Sequence, residues 1–140
     1  MSLRRTRRAL LGLDLFLGCT AVAGGVALLL GWLAPPLDLL QGSPFADYTV
    51  PALLVIVVVG GCGLSAAWLV RHRMGAGVGA SAVTGCAILC FEAVEISVIG
   101  FSALQVVYAA VGVLILGTAA RLWSQQNASG AHAPTPSPQR

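Results

Sequence analysis

Four long apolar runs, at about residues 9–33, 50–70, 76–98 and 102–121, dominate this sequence and restrict what it can fold into. Each is close to the roughly 20 residues that a helix needs to cross the hydrocarbon core of a bilayer. Backbone amides in lipid must be hydrogen-bonded internally, so only helices and closed barrels can span it. The runs do not alternate apolar and polar residues, as a barrel strand would. They therefore predict an all-α fold, a four-helix transmembrane bundle.

The composition points to the same surroundings. Hydrophobic residues make up 57% of the 140 residues and charged residues only 9%, whereas a soluble domain carries charge on about a quarter of its residues. The chain therefore lacks the polar surface that it would need in water. All eight basic residues are arginines and the net charge is +3. Because they lie between or beyond the apolar runs and form no single basic face, we predict no nucleic-acid partner.

The arginines also indicate an orientation. "RRTRR" precedes the first run, "RHR" separates the second from the third, and Arg121 ends the fourth. The connections at about residues 34–49 and 99–101 contain no basic residue. Because arginine accumulates in cytoplasmic loops, this pattern predicts a multi-pass protein of the plasma (inner) membrane with both termini in the cytoplasm. A cleaved signal ending at Cys19 is the rival interpretation, but the apolar run continues past the roughly 7–15 residues of a signal.

The polar segments are expected to differ in order. Residues 1–8 are predicted to form a basic cytoplasmic N-terminus, and residues 9–123 the transmembrane domain. The Pro- and Ser-rich residues 124–140 bury too little apolar surface to order themselves and are predicted to form a disordered cytoplasmic tail. The first connection is too rich in leucine for a free loop, so we expect it to lie on the membrane or fold over the bundle. Trp32 and Tyr48 are typical interfacial anchors.

Small residues predict where the helices pack closely. They form one stripe on the first predicted helix and another on the second: Asp14, Gly18, Ala21, Gly25; and Gly60, Gly63, Ala67. Such stripes let transmembrane backbones approach each other, so both predict contacts inside the bundle, with a homodimer seam as the alternative. Asp14 lies one or two turns from Arg7 and Arg8, and we expect it to pair with an arginine or to reach the interface.

Two glutamates stand in the third apolar run, within "CAILCFEAVEISVIGFSALQ". Glu95 is five residues before Gly100 and Gln105 is five after it, while Glu92 is eight before and Tyr108 eight after. In an antiparallel hairpin these pairs share a depth, because each helical residue advances about 1.5 Å. The four side chains are therefore predicted to form a polar cluster inside the outer half of the bundle, open to the outer face of the membrane, with Glu92 facing the bundle interior.

This cluster is the candidate ligand-binding site, with Glu92, Glu95, Gln105, Tyr108 and the outer-loop residue Asp47 as its members. Burying an ionisable residue at membrane depth costs several kcal/mol unless it is paired, so such a residue suggests a functional site. Two ionised carboxylates side by side are unfavourable, so the glutamates are expected to share at least one proton. The structural alternative is that Glu92 hydrogen-bonds Tyr108 to join two helices, Glu95 reaches the interface, and Asp47 is an ordinary loop acid.

No catalytic residue is predicted. The sequence contains no GxxxxGK, GxSxG or HExxH motif, so nothing favours an enzyme. The cysteines lie within the apolar runs and form no CxxC, which favours small buried residues over a redox site: Cys19, Cys62, Cys86 and Cys90. The sequence does not indicate whether a cofactor or a metal ion binds, so both are unknown.

Residues 43–54, "SPFADYTVPALL", and residues 91–116, "FEAVEISVIGFSALQVVYAAVGVLIL", resemble a group of small four-span bacterial integral membrane proteins. The resemblance extends from the outer loop to the fourth apolar run, about two thirds of the chain, and implies no activity. It implies that the loop around Asp47 and the polar cluster belong to one unit.

Two classes of function remain open. The first is binding or transport of a cation, a proton or a small polar ligand by the outward-facing cluster, within a homo-oligomer because a 140-residue chain leaves little room for an aqueous pathway. The second is a non-catalytic accessory or structural subunit of a larger membrane complex, which the small-residue stripes would dock. The lipid bilayer is a partner in both.

Overall fold

The computed structural model of the protein describes residues 2–130. Its long helices are α1, Leu3–Leu29; α2, Thr49–His72; α3, Met74–Ile99; and α4, Ala103–Gly130. Each is long and apolar enough to cross a membrane, and about a third or less of each apolar span is buried by the others, 28–33%. The remaining apolar surface suits lipid. The prediction of an all-α, four-helix transmembrane bundle is confirmed, and the chain is a multi-pass membrane protein by the length and composition of its helices.

The first and the last helix are both longer than the sequence predicted. Helix α1 begins at Leu3, so the N-terminal arginines belong to its first turns instead of a separate segment. Helix α4 continues to Gly130, so the prediction of disorder is wrong for residues 124–130, and residues 131–140 lie outside the described part. The low apolarity of a segment excludes it from lipid, but residues such as Gln and Ala still favour a helix that is already formed.

The connections between helices differ between the two ends of the bundle: one end has a single short connection, and the other has one short and one long connection. Arg73 alone joins α2 to α3, at the end where the arginines gather, which we call the arginine end. Residues 100–102 join α3 to α4 at the opposite end, which we call the loop end, and Gly100 turns there with a φ of 88°. That left-handed value favours glycine because a Cβ would be strained. These two tight connections make α2, α3 and α4 antiparallel neighbours.

The long connection between α1 and α2 folds back onto the loop end of the bundle. It contains a short 3-10 helix, Leu37–Leu40, that contacts α3, and Leu40 is only 5% exposed. The expectation that this connection folds over the bundle is thus confirmed. Tyr48 is not an interfacial anchor, because its ring is buried and its hydroxyl donates to the carbonyl oxygen of Pro36 at 3.2 Å. Trp32 is exposed, as an anchor requires.

Helices α1 and α2 meet through the two predicted stripes. A Cβ on Gly63 would lie 2.9–3.0 Å from backbone atoms of Gly18 and Asp14, and one on Gly60 would meet the Val22 side chain. Such short distances show that the two backbones touch because the stripes carry no side chains there. The stripes therefore serve contacts within the bundle, as predicted. The middle of α2, Val55–Gly60, is wound as a π-helix immediately beside this contact.

Candidate functional site

Glu92 lies on the buried face of α3. Residues spaced by three or four positions along this helix are buried together: Val78, Ser81, Thr84, Ile88 and Glu92. Glu92 is 4% exposed, and its Oε2 is buried with no hydrogen-bond partner in the described part of the chain. The prediction that Glu92 faces the bundle interior is confirmed. A carboxylate oxygen in this position is neither solvated nor paired, which few buried polar groups tolerate.

Glu95 lies next to Glu92, one turn closer to the loop end. It is half-buried, and its carboxyl is near enough to that of Glu92 for the two to interact electrostatically. The Gln105 amide of α4 lies beside the Glu95 carboxyl. The structure therefore brings together Glu92, Glu95 and Gln105, which the counting around Gly100 had placed at similar depths.

Gln105 has a structural function that the sequence analysis missed. Its Nε2 donates to the carbonyl oxygen of Gly100 at 3.1 Å, and its Oε1 accepts from the backbone N–H of Ser102 at 2.7 Å. Because α4 begins at Ala103, Ser102 is the N-cap and Gln105 the third helical residue, which is half of a capping box. The Ser-x-x-Gln spacing "SALQ" was the signal for it. Gln105 thus fixes the turn that sets Glu95 against α4.

The predicted hydrogen bond between Glu92 and Tyr108 is not formed. Tyr108 is half-buried and packs against the hydrophobic core, and no hydrogen bond joins its hydroxyl to Glu92 within residues 2–130. Equal spacing from a turn fixes the depth of a side chain, but the direction in which it points depends on the rotation of each helix. One turn further along α4, Gly112 packs against the side chains of Ile88 and Leu89, so no space for a ligand opens there.

Asp47 is engaged at the start of α2. It is exposed, and its Oδ1 accepts from the backbone N–H of Thr49 at 2.9 Å. This contact satisfies one of the free N–H groups of the first helical turn. No hydrogen bond from Asp47 to either glutamate occurs in the described residues, so its place in a ligand site remains a prediction.

A second buried carboxyl, Asp14, was assigned to the wrong partner by the sequence analysis. Asp14 is 0% exposed, its Oδ2 accepts from the Ser81 hydroxyl at 2.6 Å, and its Oδ1 is buried without a partner in residues 2–130. It pairs with no arginine there, because Arg7 donates to the carbonyl oxygens of Val70 and Arg71 instead. The small-residue stripe that includes Asp14 was the signal that this face is packed.

The cysteines form no site in the described structure. All four are free, and Cys19, Cys86 and Cys90 are exposed on faces that suit lipid, so the expectation that they are buried is wrong for these three. Cys62 is half-buried. No group of three or more His, Cys, Asp or Glu side chains within residues 2–130 is arranged to hold a metal ion.

Comparison with known proteins supplies no function for this arrangement. The chain matches no protein-family model, no curated protein and no solved structure. The resemblance to small four-span membrane proteins therefore stays an expectation, and the features that bear on function are the two buried carboxyls and their neighbours.

Proposed function

We propose that the protein reversibly binds a proton at the pair formed by Glu92 and Glu95. The observation that carries the proposal is that Oε2 of Glu92 is buried and has no hydrogen-bond partner within residues 2–130. A carboxylate held in this way would keep its charge without compensation, which costs several kcal/mol in a membrane interior. A bound proton removes that charge without requiring any additional space.

A proton fits these surroundings better than a larger ligand. Calcium requires about six to eight oxygen ligands, and magnesium a near-ideal octahedron. Near Glu92, the oxygen atoms that could bind a metal ion are those of its own carboxyl and of the Glu95 carboxyl. The Gln105 side-chain oxygen already accepts a hydrogen bond from the backbone N–H of Ser102. Ile88, 2% exposed, fills the next turn towards the centre of the bundle.

The same arrangement suggests how the proton would reach Glu92. Glu95 is half-buried and lies nearer the loop end, so it can exchange a proton with water and pass it to its neighbour. Ile88 and the hydrophobic core separate Glu92 from Ser81 and Asp14, deeper in the bundle. This separation supports reversible binding over conduction of protons across the membrane.

The test is the pH dependence of thermal stability in detergent, from about pH 5 to 8, for the wild type and Glu92→Gln. If the folded protein holds a proton that the unfolded chain releases, its stability falls as pH rises, by up to about 1.4 kcal/mol per pH unit for one proton. Glu92→Gln should flatten this dependence because an amide of the same shape needs no proton. Because His72 and Asp14 are also ionisable, the difference between the two curves is the result that matters.

Two controls separate binding from packing. His72 is exposed, and its ring centroid lies 5.0 Å from that of Trp68 with the two planes tilted by 39°. In His72→Gln the pH dependence that involves Glu92 should persist. A stabilisation by divalent cations that Glu92→Gln abolishes would identify a cation as the ligand in place of a proton. Curves that differ by a constant offset alone would contradict the proposal and leave the role of an accessory subunit, to be tested by co-purification.

We further propose that both termini face the cytoplasm at the plasma (inner) membrane, so that the glutamates lie nearer the outer face. The basic residues at the arginine end and their absence from both loop-end connections support this orientation. In a variant whose native cysteines are replaced by alanine, a cysteine introduced at Gln41 should react with an impermeant thiol reagent in intact cells. A cysteine at Ser129 should react after the cells are opened, and its labelling in intact cells would reverse the orientation.

A further inference from the structure

The arginine end of the bundle contains a cavity whose lining is strongly basic. It has a volume of about 270 Å³ and is lined by Arg4, Arg7, Arg8, Leu11 and Arg71. The lining residues come from the start of α1 and the end of α2, and no acidic side chain is among them. Four arginines thus line one space, which we call the arginine cavity.

One of these arginines is held in place by the fold. The Nε of Arg7 donates to the carbonyl oxygen of Val70 at 3.1 Å, and its terminal nitrogen donates to that of Arg71 at 2.7 Å. These acceptors belong to the last turn of α2, whose carbonyls have no partner inside the helix. A guanidinium has five N–H donors, so Arg7 keeps others for a ligand while its orientation is already fixed.

The charge of the cavity is not balanced within the protein. No ion pair involves Arg4, Arg7, Arg8 or Arg71 in the described residues. Like charges around one cavity repel one another, although water screens the exposed Arg4, Arg8 and Arg71. Orientation of a membrane protein requires arginines on one side of the membrane, but not their convergence around a cavity or the fixing of one of them. A bound anion would relieve the repulsion, and arginine matches phosphate oxygens with paired donors.

The location of the cavity indicates what kind of molecule carries the anion. Leu11 lies one turn beyond Arg7 and Arg8, so the basic lining gives way to the apolar surface of α1. We take this transition as the boundary between water and hydrocarbon, because arginines collect just outside the membrane. The volume is just below the roughly 300–1,000 Å³ of sites for whole small molecules, and it suits a phosphate with its nearest atoms. Lipid chains could then follow the exposed apolar flanks of α1.

We propose that the arginine cavity binds a phosphate monoanion or diester, supplied by the head group of an anionic phospholipid in the adjacent leaflet. Free inorganic phosphate presents the same chemistry and is the alternative source. The site is independent of Glu92 and Glu95, which lie towards the loop end, so the two proposals can fail separately.

The test compares two double variants that remove the same charge from the same end of the bundle. Arg4→Gln with Arg71→Gln alters the cavity lining, whereas Arg5→Gln with Arg73→Gln alters exposed arginines that do not line it. Native mass spectrometry in detergent, with added phosphatidylglycerol or phosphatidylcholine, measures the apparent Kd for each lipid. The wild type should prefer phosphatidylglycerol, and the lining variant should weaken its binding at least about tenfold more than the control variant, because it loses charged hydrogen bonds.

The other outcomes are decisive as well. Protection of the wild type against thermal unfolding by millimolar inorganic phosphate, with no preference between the lipids, would assign the site to a soluble anion. Equal losses in the two double variants would reduce the effect to general surface attraction and overturn the proposal, as would the absence of any bound phosphate or lipid preference. Arg7 is left intact because it supports the fold, and if the lining variant does not fold, Arg8→Gln alone replaces it against Arg5→Gln.

Discussion

Replacing Gly77 by alanine is expected to destabilise the bundle by about 1–3 kcal/mol, the range for overpacking a well-filled interior. A Cβ on Gly77 would lie 2.5 Å from both N and Cα of Val70 and 2.8 Å from the carbonyl carbon of Leu69. These are backbone atoms of α2, and the single connecting residue Arg73 prevents α3 from moving away from them without disrupting the turn. Thermal unfolding in detergent measures the effect.

Neighbouring glycines of the same helix provide the controls. A Cβ on Gly75 or Gly79 would have no heavy atom within 4 Å apart from its chain neighbours and the nearby backbone of its own helix. Gly75→Ala and Gly79→Ala therefore cause no steric clash. Alanine is the better helix former by up to about 1 kcal/mol, and these variants should be neutral or stabilised. Equal losses of stability in all three variants would contradict the close contact between α2 and α3 at Gly77.

Removing the Ser81 hydroxyl is the second substitution for which a large effect is expected. Ser81→Ala takes away the donor at 2.6 Å from Oδ2 of Asp14, whose other oxygen already has no partner in residues 2–130. A fully buried carboxyl would then have neither hydrogen bond nor water, so we expect a loss of about 1–3 kcal/mol. A loss of stability near about 0.6 kcal/mol, the average for interhelical hydrogen bonds in membranes, would contradict this expectation and make the Asp14–Ser81 contact an ordinary one.

A double variant distinguishes a carboxyl left without its hydrogen bond from a simple loss of packing. The quantity to compare is its stability relative to Ser81→Ala alone. Asp14→Ala combined with Ser81→Ala removes both partners, and it should be more stable than Ser81→Ala alone because no buried polar group is left without its partner. Ser97→Ala is the control, since that exposed α3 hydroxyl donates to the Val94 carbonyl at 2.6 Å. If the double variant is less stable than Ser81→Ala, Asp14 stabilises the bundle by other contacts.

The architecture could be predicted from the sequence because bilayer thickness and the need to pair backbone groups leave few solutions for four apolar runs. Depth along the bundle was also predictable, since Glu92, Glu95 and Gln105 follow from counting outward from Gly100. Rotation about each helix axis was not, because it depends on side chains of two elements at once. For this reason Tyr108 was expected beside Glu92, where no hydrogen bond joins them, and Ser81 was never proposed as the partner of Asp14.

Local rules competed with each other at two further places. Tyr48 is of a residue type that is common in interfacial anchors, but the connection folds back and its hydroxyl donates to the carbonyl oxygen of Pro36. Gln105 was considered for its amide alone, although its position three residues after Ser102 predicts a helix cap equally well. In both cases the type of the residue suggested a surface or ligand role, but its hydrogen bonds go to backbone groups of the connection that it stabilises: Pro36 for Tyr48, and Gly100 and Ser102 for Gln105.

The pairing of Asp14 with Ser81 has a consequence for biosynthesis. The two residues are 67 positions apart, and a ribosome adding about 5–20 residues per second completes the partner about 3–13 s after the carboxyl. An aspartate at the centre of an inserting helix costs about 2.5–3.5 kcal/mol. We therefore expect the nascent α1 to remain beside the translocation channel until α3 emerges and Ser81 donates to Asp14.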